Sequence, residues 1–263
     1  LHERKLERSI DTREVRYRLK RTTASLGIDR RLAKEFNVEF YYDFSVVNTF
    51  DVKPDIIITR EDTGTLIISA LRTGFIYDTR DSPFEPTEGM LAGITAKFAT
   101  SLLLSETDFA KLSFYINKYL ALSKNMVFAG SLRGGIARGL KNTQELPLVE
   151  RFFLGGRTTV RGYEQDMLGP KGSDGNPIGG NLFSMANLEL RTNVGKGLGI
   201  VTFLDAGNVW QTTANMSTIR YTTGLGLRYN TPVGPFRIDY GYKLNRQKGE
   251  SKGEIHFSLG HAF

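Results

Sequence analysis

The feature that most constrains this chain is an alternation of apolar with polar or small residues that recurs along most of its length. In the final segment, Ile255, Phe257 and Leu259 alternate with small or polar side chains, and Phe263 belongs to the same apolar set. A period of two is that of a β-strand, in which successive side chains point to opposite faces. The pattern recurs in ten further segments, at about 13–28, 35–50, 64–80, 89–103, 109–123, 125–139, 182–193, 199–210, 221–229 and 236–244. The sequence therefore predicts an all-β chain.

The length of these segments distinguishes between two kinds of β protein. Most are about 10 to 16 residues long, whereas strands of a soluble β-sandwich usually have about five or six. One face is apolar, with aromatic residues towards the strand ends, and the other carries Gly, Arg and Asp. This combination is typical of a transmembrane antiparallel β-barrel, which we predict. A spanning helix is excluded, because apolar runs such as Leu102–Leu104 are far shorter than the roughly 18 to 20 residues it requires.

Composition limits the chemistry that the chain can perform. It contains no Cys, which removes disulfides and thiolate sites, and its three His residues (His2, His256 and His261) form no metal site or triad pattern. We therefore predict no catalytic residue, no metal, no cofactor and no enzymatic activity. The net charge of +7 would suit anionic lipid or nucleic acid, or serve solubility alone. Nucleic acid is not expected as a partner, because basic and aromatic residues do not alternate on a water-soluble face.

One connection, residues 146–181, is long and lacks strand periodicity. Long barrel loops are extracellular, whereas periplasmic turns are short, as expected for the 231–235 turn. The 151–163 stretch is too apolar and aromatic for a solvated tail. We therefore predict that this extracellular loop, termed the lumen loop (residues 146–181), folds into the barrel lumen.

The lumen loop carries a specific resemblance. Arg-Phe-Phe-Leu-Gly-Gly at 151–156, followed by Val160, Arg161, Gly162 and Tyr163, resembles the sixth extracellular loop of the BamA superfamily of outer-membrane protein assembly factors. The resemblance continues through 187–191, 203–210 and 224–228 to the terminal Phe, and the turn at 78–89 resembles the family's periplasmic turn. It implies that residues 1–263 are the C-terminal part of one barrel domain of about sixteen strands. Eleven of those strands are present here, with 1–10 as the end of a twelfth, and the family's POTRA domains are absent from this chain.

A cation on a loop inside a barrel needs a partner, because an unpaired buried charge is costly. Glu189 and Asp205 lie on the two strands after the loop, and the resemblance implies that acidic residues on these strands hold Arg161. The planar guanidinium can engage two carboxylates at once. The alternative is a surface Arg on a mobile loop.

The resemblance also implies a function, which is the insertion of β-barrel precursors into the bacterial outer membrane through an exposed strand seam. Phe257, Leu259, Gly260 and Phe263 would form a terminal-strand signal that the assembly machinery reads. Gly260 would weaken pairing locally, and the alternative is that it serves only small-residue packing. The alternative functions are a two-partner-type secretion pore and a passive channel.

The implied partners are unfolded outer-membrane protein precursors, membrane lipid, and periplasmic or lipoprotein subunits. Lipopolysaccharide is a further candidate, because basic residues recur between Arg13 and Arg21 near the predicted outer rim. The alternative for that run is an ordinary solvated rim. The acidic residues around Arg80 are expected to be turn residues rather than a general acid–base pair.

Overall fold

The structure, a computed structural model, describes residues 2–8, 15–51, 62, 64–141, 143–173, 175–231, 234–259 and 263. Within these residues, twelve strands form one antiparallel sheet in which each strand pairs with its neighbours in sequence. The prediction of an all-β antiparallel fold is confirmed. The strands are β1 (His2–Arg8), β2 (Val15–Ala33), β3 (Phe36–Phe50), β4 (Gly64–Asp78), β5 (Gly89–Ala99), β6 (Phe109–Ser123), β7 (Met126–Gly139), β8 (Leu182–Gly195), β9 (Leu198–Trp210), β10 (Arg220–Thr231), β11 (Gly234–Lys243) and β12 (Gly253–Leu259).

The two faces of the sheet differ as the alternation predicts. Leu227 pairs with Ile238 and both point outward, whereas the adjacent pair Arg228 and Arg237 points inward and is buried. The outer face is a continuous exposed apolar band, and the inner face carries most of the buried charged side chains. Three short 3-10 segments, Ser101–Leu103, Leu148–Glu150 and Met216–Thr218, interrupt the connections. None of the described helical segments is long and apolar enough to cross a membrane.

Among the described residues, two strand ends differ substantially from the prediction, and the other differences amount to one or two residues. β5 ends at Ala99, not at 103, because Thr100 turns the chain: its carbonyl accepts hydrogen bonds from the amides of Leu103 (2.9 Å) and Ser105 (3.3 Å). β2 continues to Ala33, beyond the predicted end at 28. The alternation stops there among polar residues, but pairing with β3 persists.

The inner face is also less polar than predicted. At the end of the sheet where the lumen loop emerges, β2 to β7 direct an apolar cluster inward, which residues of the loop cover. The buried members are Leu19, Val47, Leu66, Ile68, Ala70, Ala99, Phe109, Ala137 and Leu146. The period of two is the same for either face, so the alternation alone could not reveal this inner core.

The expected position of Phe263 needs a correction. Sequence alternation grouped it with the outward Phe257 and Leu259, which are exposed. Its ring instead stacks on Tyr119, a buried inner-face residue of β6, at a centroid distance of 6.5 Å, and the Arg191 guanidinium lies 5.3 Å from it. An aromatic ring and a cation on the inner wall offer a stacking site that the outer face lacks. Gly260 lies outside the described residues.

Candidate functional site

The lumen loop lies on the inner face of the sheet. Backbone bridges join Phe152 to Gly180 and Leu154 to Leu168, so the loop closes on itself as it crosses the wall. Its own apolar residues pack against the inner face of β8 and β9, and this packing holds the loop against the wall. The buried members of this second cluster are Leu154, Val160, Tyr163, Leu168, Met185 and Val209.

Arg161 is fully buried, with 0% of its surface exposed, and is held by both predicted carboxylates. Its Nε and Nη2 donate to the two oxygens of Asp205 at 2.8 and 2.7 Å, and its Nη1 donates to Glu189 Oε1 at 2.5 Å. The Arg161 backbone amide also donates to Asp205, at 3.0 Å. The structure therefore brings together Arg161, Glu189 and Asp205, which we call the Arg161 cluster.

Further residues fix the two carboxylates in place. Asn187 donates to Asp205 Oδ1 at 2.8 Å and to the carbonyl of Thr159 in the loop at 2.6 Å. Arg191 donates to Glu189 Oε2 at 2.8 Å. The Phe203 ring lies 3.5 Å from the Arg161 guanidinium carbon, so one face of the cation is covered by an aromatic surface. Each acidic oxygen thus has a donor, which is what burial of charge requires.

The electrostatics of the loop residues follow from this geometry. Burial alone would lower the pKa of Arg161, but the charges of Asp205 and Glu189 outweigh it and raise the pKa above its ordinary value. Burial raises the pKa of Tyr163 to about 12. Arg161 is therefore a permanent cation, and the cluster fastens the loop to β8 and β9.

Gly162 lets the loop approach β11 closely. Its φ of +94° is a conformation that other residues rarely adopt, and a Cβ at Gly162 would meet the Gly241 carbonyl oxygen at 3.0 Å. A Cβ at Gly241 would meet the Gly162 nitrogen at 2.5 Å. The Gly162 amide donates to His256 Nε2 of β12 at 3.1 Å. Gly241 and His256 were not predicted, because a lone Gly or His in an alternating strand carries no distinguishing signal.

Tyr163 fastens the loop to β10 and β11. Its hydroxyl accepts a hydrogen bond from Arg220 Nε at 2.8 Å, and Lys243 Nζ lies 4.5 Å from its ring centroid. Arg220 also pairs with Glu250, in the β11–β12 connection. The loop motif thus contacts five consecutive strands, β8 to β12.

A second buried charge, which the sequence did not reveal, lies at the start of the lumen loop. Glu150 is 2% exposed and pairs with Arg21 of β2 (3.0 Å), Lys97 of β5 (2.5 Å) and Lys111 of β6 (3.6 Å). Lys111 also donates to the Glu150 carbonyl at 2.8 Å. We call these four residues the Glu150 cluster. Burial would raise the pKa of Glu150, but the three cations hold it below its ordinary value of 4.5.

The remaining predicted residues lie apart from the loop motif. Phe257 and Leu259 point outward from β12, so they share no surface with the Arg161 cluster. The acidic turn is ordered by local bonds: Asp78 pairs with Arg80 at 2.9 Å, and hydrogen bonds from the Thr87 hydroxyl and nearby amides lower the pKa of Asp81 to about 2. In the described part of the chain, no group of three or more His, Asp or Glu side chains could hold a metal ion.

Comparison with known proteins identifies a family. The profile of the Omp85 superfamily domain matches residues 4–263. The outer membrane protein assembly factor BamA of Nitratidesulfovibrio vulgaris is 31% identical over 226 residues, covering 81% of this chain and 28% of that protein. BamA of Neisseria meningitidis is 29% identical over 225 residues, covering 72% and 28%. A SAM50-like protein of Schizosaccharomyces pombe is 29% identical over 220 residues, covering 76% and 46%.

Solved structures show the same fold. BamA from Haemophilus ducreyi lacking POTRA domains 1–3 superposes with a TM-score of 0.78 at 18% identity, over 93% of this chain and 54% of that chain. CdiB from Acinetobacter baumannii gives a TM-score of 0.58 at 15% identity, over 96% and 44%. The sheet described above is therefore a large part of a barrel wall, and the chain spans little more than a quarter of the length of the two bacterial relatives.

Proposed function

This chain belongs to the Omp85 superfamily, and from that membership we propose that it is the barrel part of an outer-membrane protein assembly factor, which folds and inserts β-barrel precursors. It is a β-barrel protein of the bacterial outer membrane. The observation that carries the proposal is the 31% identity, over 81% of the chain, to a protein named as an outer membrane protein assembly factor.

The geometry of the inner face supports assembly over passive conduction. The lumen loop crosses the inner wall and is held by two buried charge clusters, at Glu150 and Arg161, so ordered chain covers this wall where an open pore would have an uncovered polar lining. A loop fastened in this way braces the wall on which precursor strands would form.

The proposed mechanism needs no chemical step by the protein, and we propose that it is not an enzyme. Unpaired backbone groups of a precursor strand are costly in lipid, and pairing them with a strand edge lowers that cost. We place this edge at the strand seam next to β12, which lies at one edge of the described sheet. The proposed partners are unfolded outer-membrane protein precursors, membrane lipid including lipopolysaccharide, and periplasmic or lipoprotein subunits.

The test measures folding of a client. The full-length protein is reconstituted in phosphatidylcholine vesicles, a urea-denatured outer-membrane barrel protein is added, and the folded fraction is followed by its shifted gel mobility without heating. We expect faster folding than with empty vesicles. We expect Arg161→Ala to slow it, and Arg138→Ala, which changes an exposed Arg outside both clusters, to match the parent.

Each alternative predicts a different result. A passive channel would release a small trapped dye from the vesicles without accelerating client folding. A secretion pore would move a soluble polypeptide across the vesicle wall, again with client folding as slow as in empty vesicles. Either result would reject the assembly function.

A further inference from the structure

The connection between β5 and β6, residues 100–108, exposes two leucines that make no part of the lumen loop's contacts. Leu102 and Leu104 are 88% and 74% exposed, although the 3-10 turn Ser101–Leu103 orders this segment. Ordered turns that face water usually carry small or polar residues at their tips. Two exposed leucines at one tip indicate an apolar neighbour.

The 100–108 connection folds against the outer face of the wall. The Leu103 carbonyl accepts a hydrogen bond from the Tyr42 hydroxyl of β3 at 3.3 Å, and Ser69 of β4 donates to the same hydroxyl at 2.7 Å. Tyr42 and Ser69 point outward, because the alternate residues on both strands belong to the buried inner face. Ser69 is 0% exposed, so the connection covers it from the outside.

The connection is hydrogen-bonded to the neighbouring strand β4. β5 ends opposite Ala70, so the β4 residues that precede Ala70 have no pairing partner on β5. The connection takes that place: the Glu106 amide donates to the Ile67 carbonyl at 2.9 Å, and the Ile67 amide donates to Glu106 Oε2 at 2.6 Å. Irregular backbone is tolerated near lipid only where its polar groups have such partners.

The base of the connection is charged, in contrast to its tip. Asp108 accepts hydrogen bonds from the Thr100 hydroxyl at 2.9 Å, the Ser101 amide at 3.0 Å and Lys141 Nζ at 2.8 Å. A segment with an apolar tip and a charged base is suited to a membrane interface.

From these contacts we propose that residues 100–108 form a membrane-interface segment, in which Leu102 and Leu104 insert among the acyl chains of the outer leaflet. The tip continues the exposed apolar band of neighbouring strands, represented by Phe98 and Leu112, which faces lipid. The segment lies at the same end of the wall as the lumen loop, because β5 and β7 run in the same direction. The lumen loop is predicted to be extracellular, so we place this segment at the extracellular end as well. This interaction is independent of the proposed assembly function.

The experiment uses single cysteines, since this chain has none of its own. Leu102→Cys and Leu104→Cys are each labelled with the environment-sensitive fluorophore NBD, in full-length protein lacking other cysteines, in phosphatidylcholine vesicles that contain doxyl-labelled phosphatidylcholine. Leu227→Cys on the outer face is the lipid-exposed control, and Ser217→Cys, exposed in the β9–β10 connection, is the water-exposed control. We expect a blue shift and doxyl quenching at both leucines that match Leu227→Cys.

Emission at Leu102→Cys and Leu104→Cys that is unquenched and matches Ser217→Cys would overturn the proposal. The unmodified protein provides a second measurement that no folding defect can obscure. Phosphatidylcholine with a photoreactive diazirine in its acyl chain should label the peptide containing 102–104 and leave the peptide containing 215–217 unlabelled. Absence of label from 102–104, while the 225–227 peptide is labelled, would reject the insertion.

Discussion

At the scale of single residues, two buried charges of opposite sign fasten the lumen loop. Arg161 pairs with acids on β8 and β9, and Glu150 pairs with bases on β2, β5 and β6. A buried pair contributes little net stability, but removal of one partner strands the other in a desolvated site. Changes at these residues should therefore have large effects.

Arg161→Ala should destabilise the folded protein by about 3 to 5 kcal/mol, because it leaves Glu189 and Asp205 without their cation. The free energy of unfolding in urea, measured in lipid vesicles, tests this value. Asp205→Asn combined with Arg161→Ala should recover part of the loss, and a double-mutant cycle gives the coupling. Purely additive losses would contradict a direct interaction. Arg138→Ala is the control.

Glu150→Gln should cost on the order of 3 kcal/mol at pH 7, because three cations then lose their carboxylate. The pKa of Glu150 is lower in the folded state than its ordinary value of 4.5. The stabilisation is therefore complete above about pH 4.5 and is lost as the pH falls through the folded-state pKa. The difference in unfolding free energy between parent and variant should shrink over that acidic range. If the difference in unfolding free energy stayed constant with pH, the charge of Glu150 would not contribute to stability.

At the scale of the strand, alternation assigns each residue to lipid or to the inner wall. Phe114 of β6 points outward and is exposed, whereas the adjacent Ser113 points inward. Phe114→Arg should cost about 2 to 4 kcal/mol in a bilayer, and Ser113→Arg much less. Reversible unfolding in vesicles measures both, and equal costs would mean that the faces of β6 are assigned incorrectly.

Two variants can distinguish a packing role of the terminal residue Phe263 from a role as an assembly signal. Phe263 stacks on Tyr119, so Tyr119→Leu removes the ring partner while the terminal residues stay intact. If the terminal residues are an assembly signal, deletion of Phe263 should reduce assembly in cells more than refolding in detergent, and Tyr119→Leu should affect both equally. The amount of heat-resistant folded protein reports each case. Identical behaviour of the two variants would leave Phe263 with a packing role only.

At the scale of the whole molecule, the lumen loop joins two halves of the wall. Its start is fastened to β2, β5 and β6, and its Val160–Tyr163 motif to β8 through β12. Glu150→Gln should therefore raise hydrogen exchange mainly at 146–156, and Arg161→Ala mainly at 157–165, with strand amides unchanged. Mass spectrometry of exchanged peptides measures this. Loosening of the entire loop by either single change would show that the two fastenings form one cooperative unit.

The sequence by itself determined the strands, their two faces and the loop motif, because alternation and turn composition are local properties that neighbouring residues specify. It also predicted the approach of Arg161 to Glu189 and Asp205, through the resemblance of the loop motif. Only the tertiary structure decided the partners of Glu150, which lie 129, 53 and 39 residues away, and the role of Gly241 against Gly162. The same holds for the fold-back of 100–108 and the inward stacking of Phe263. These contacts depend on which strands the curvature of the wall and the path of the loop bring together, and a period of two carries no information about partners that distant.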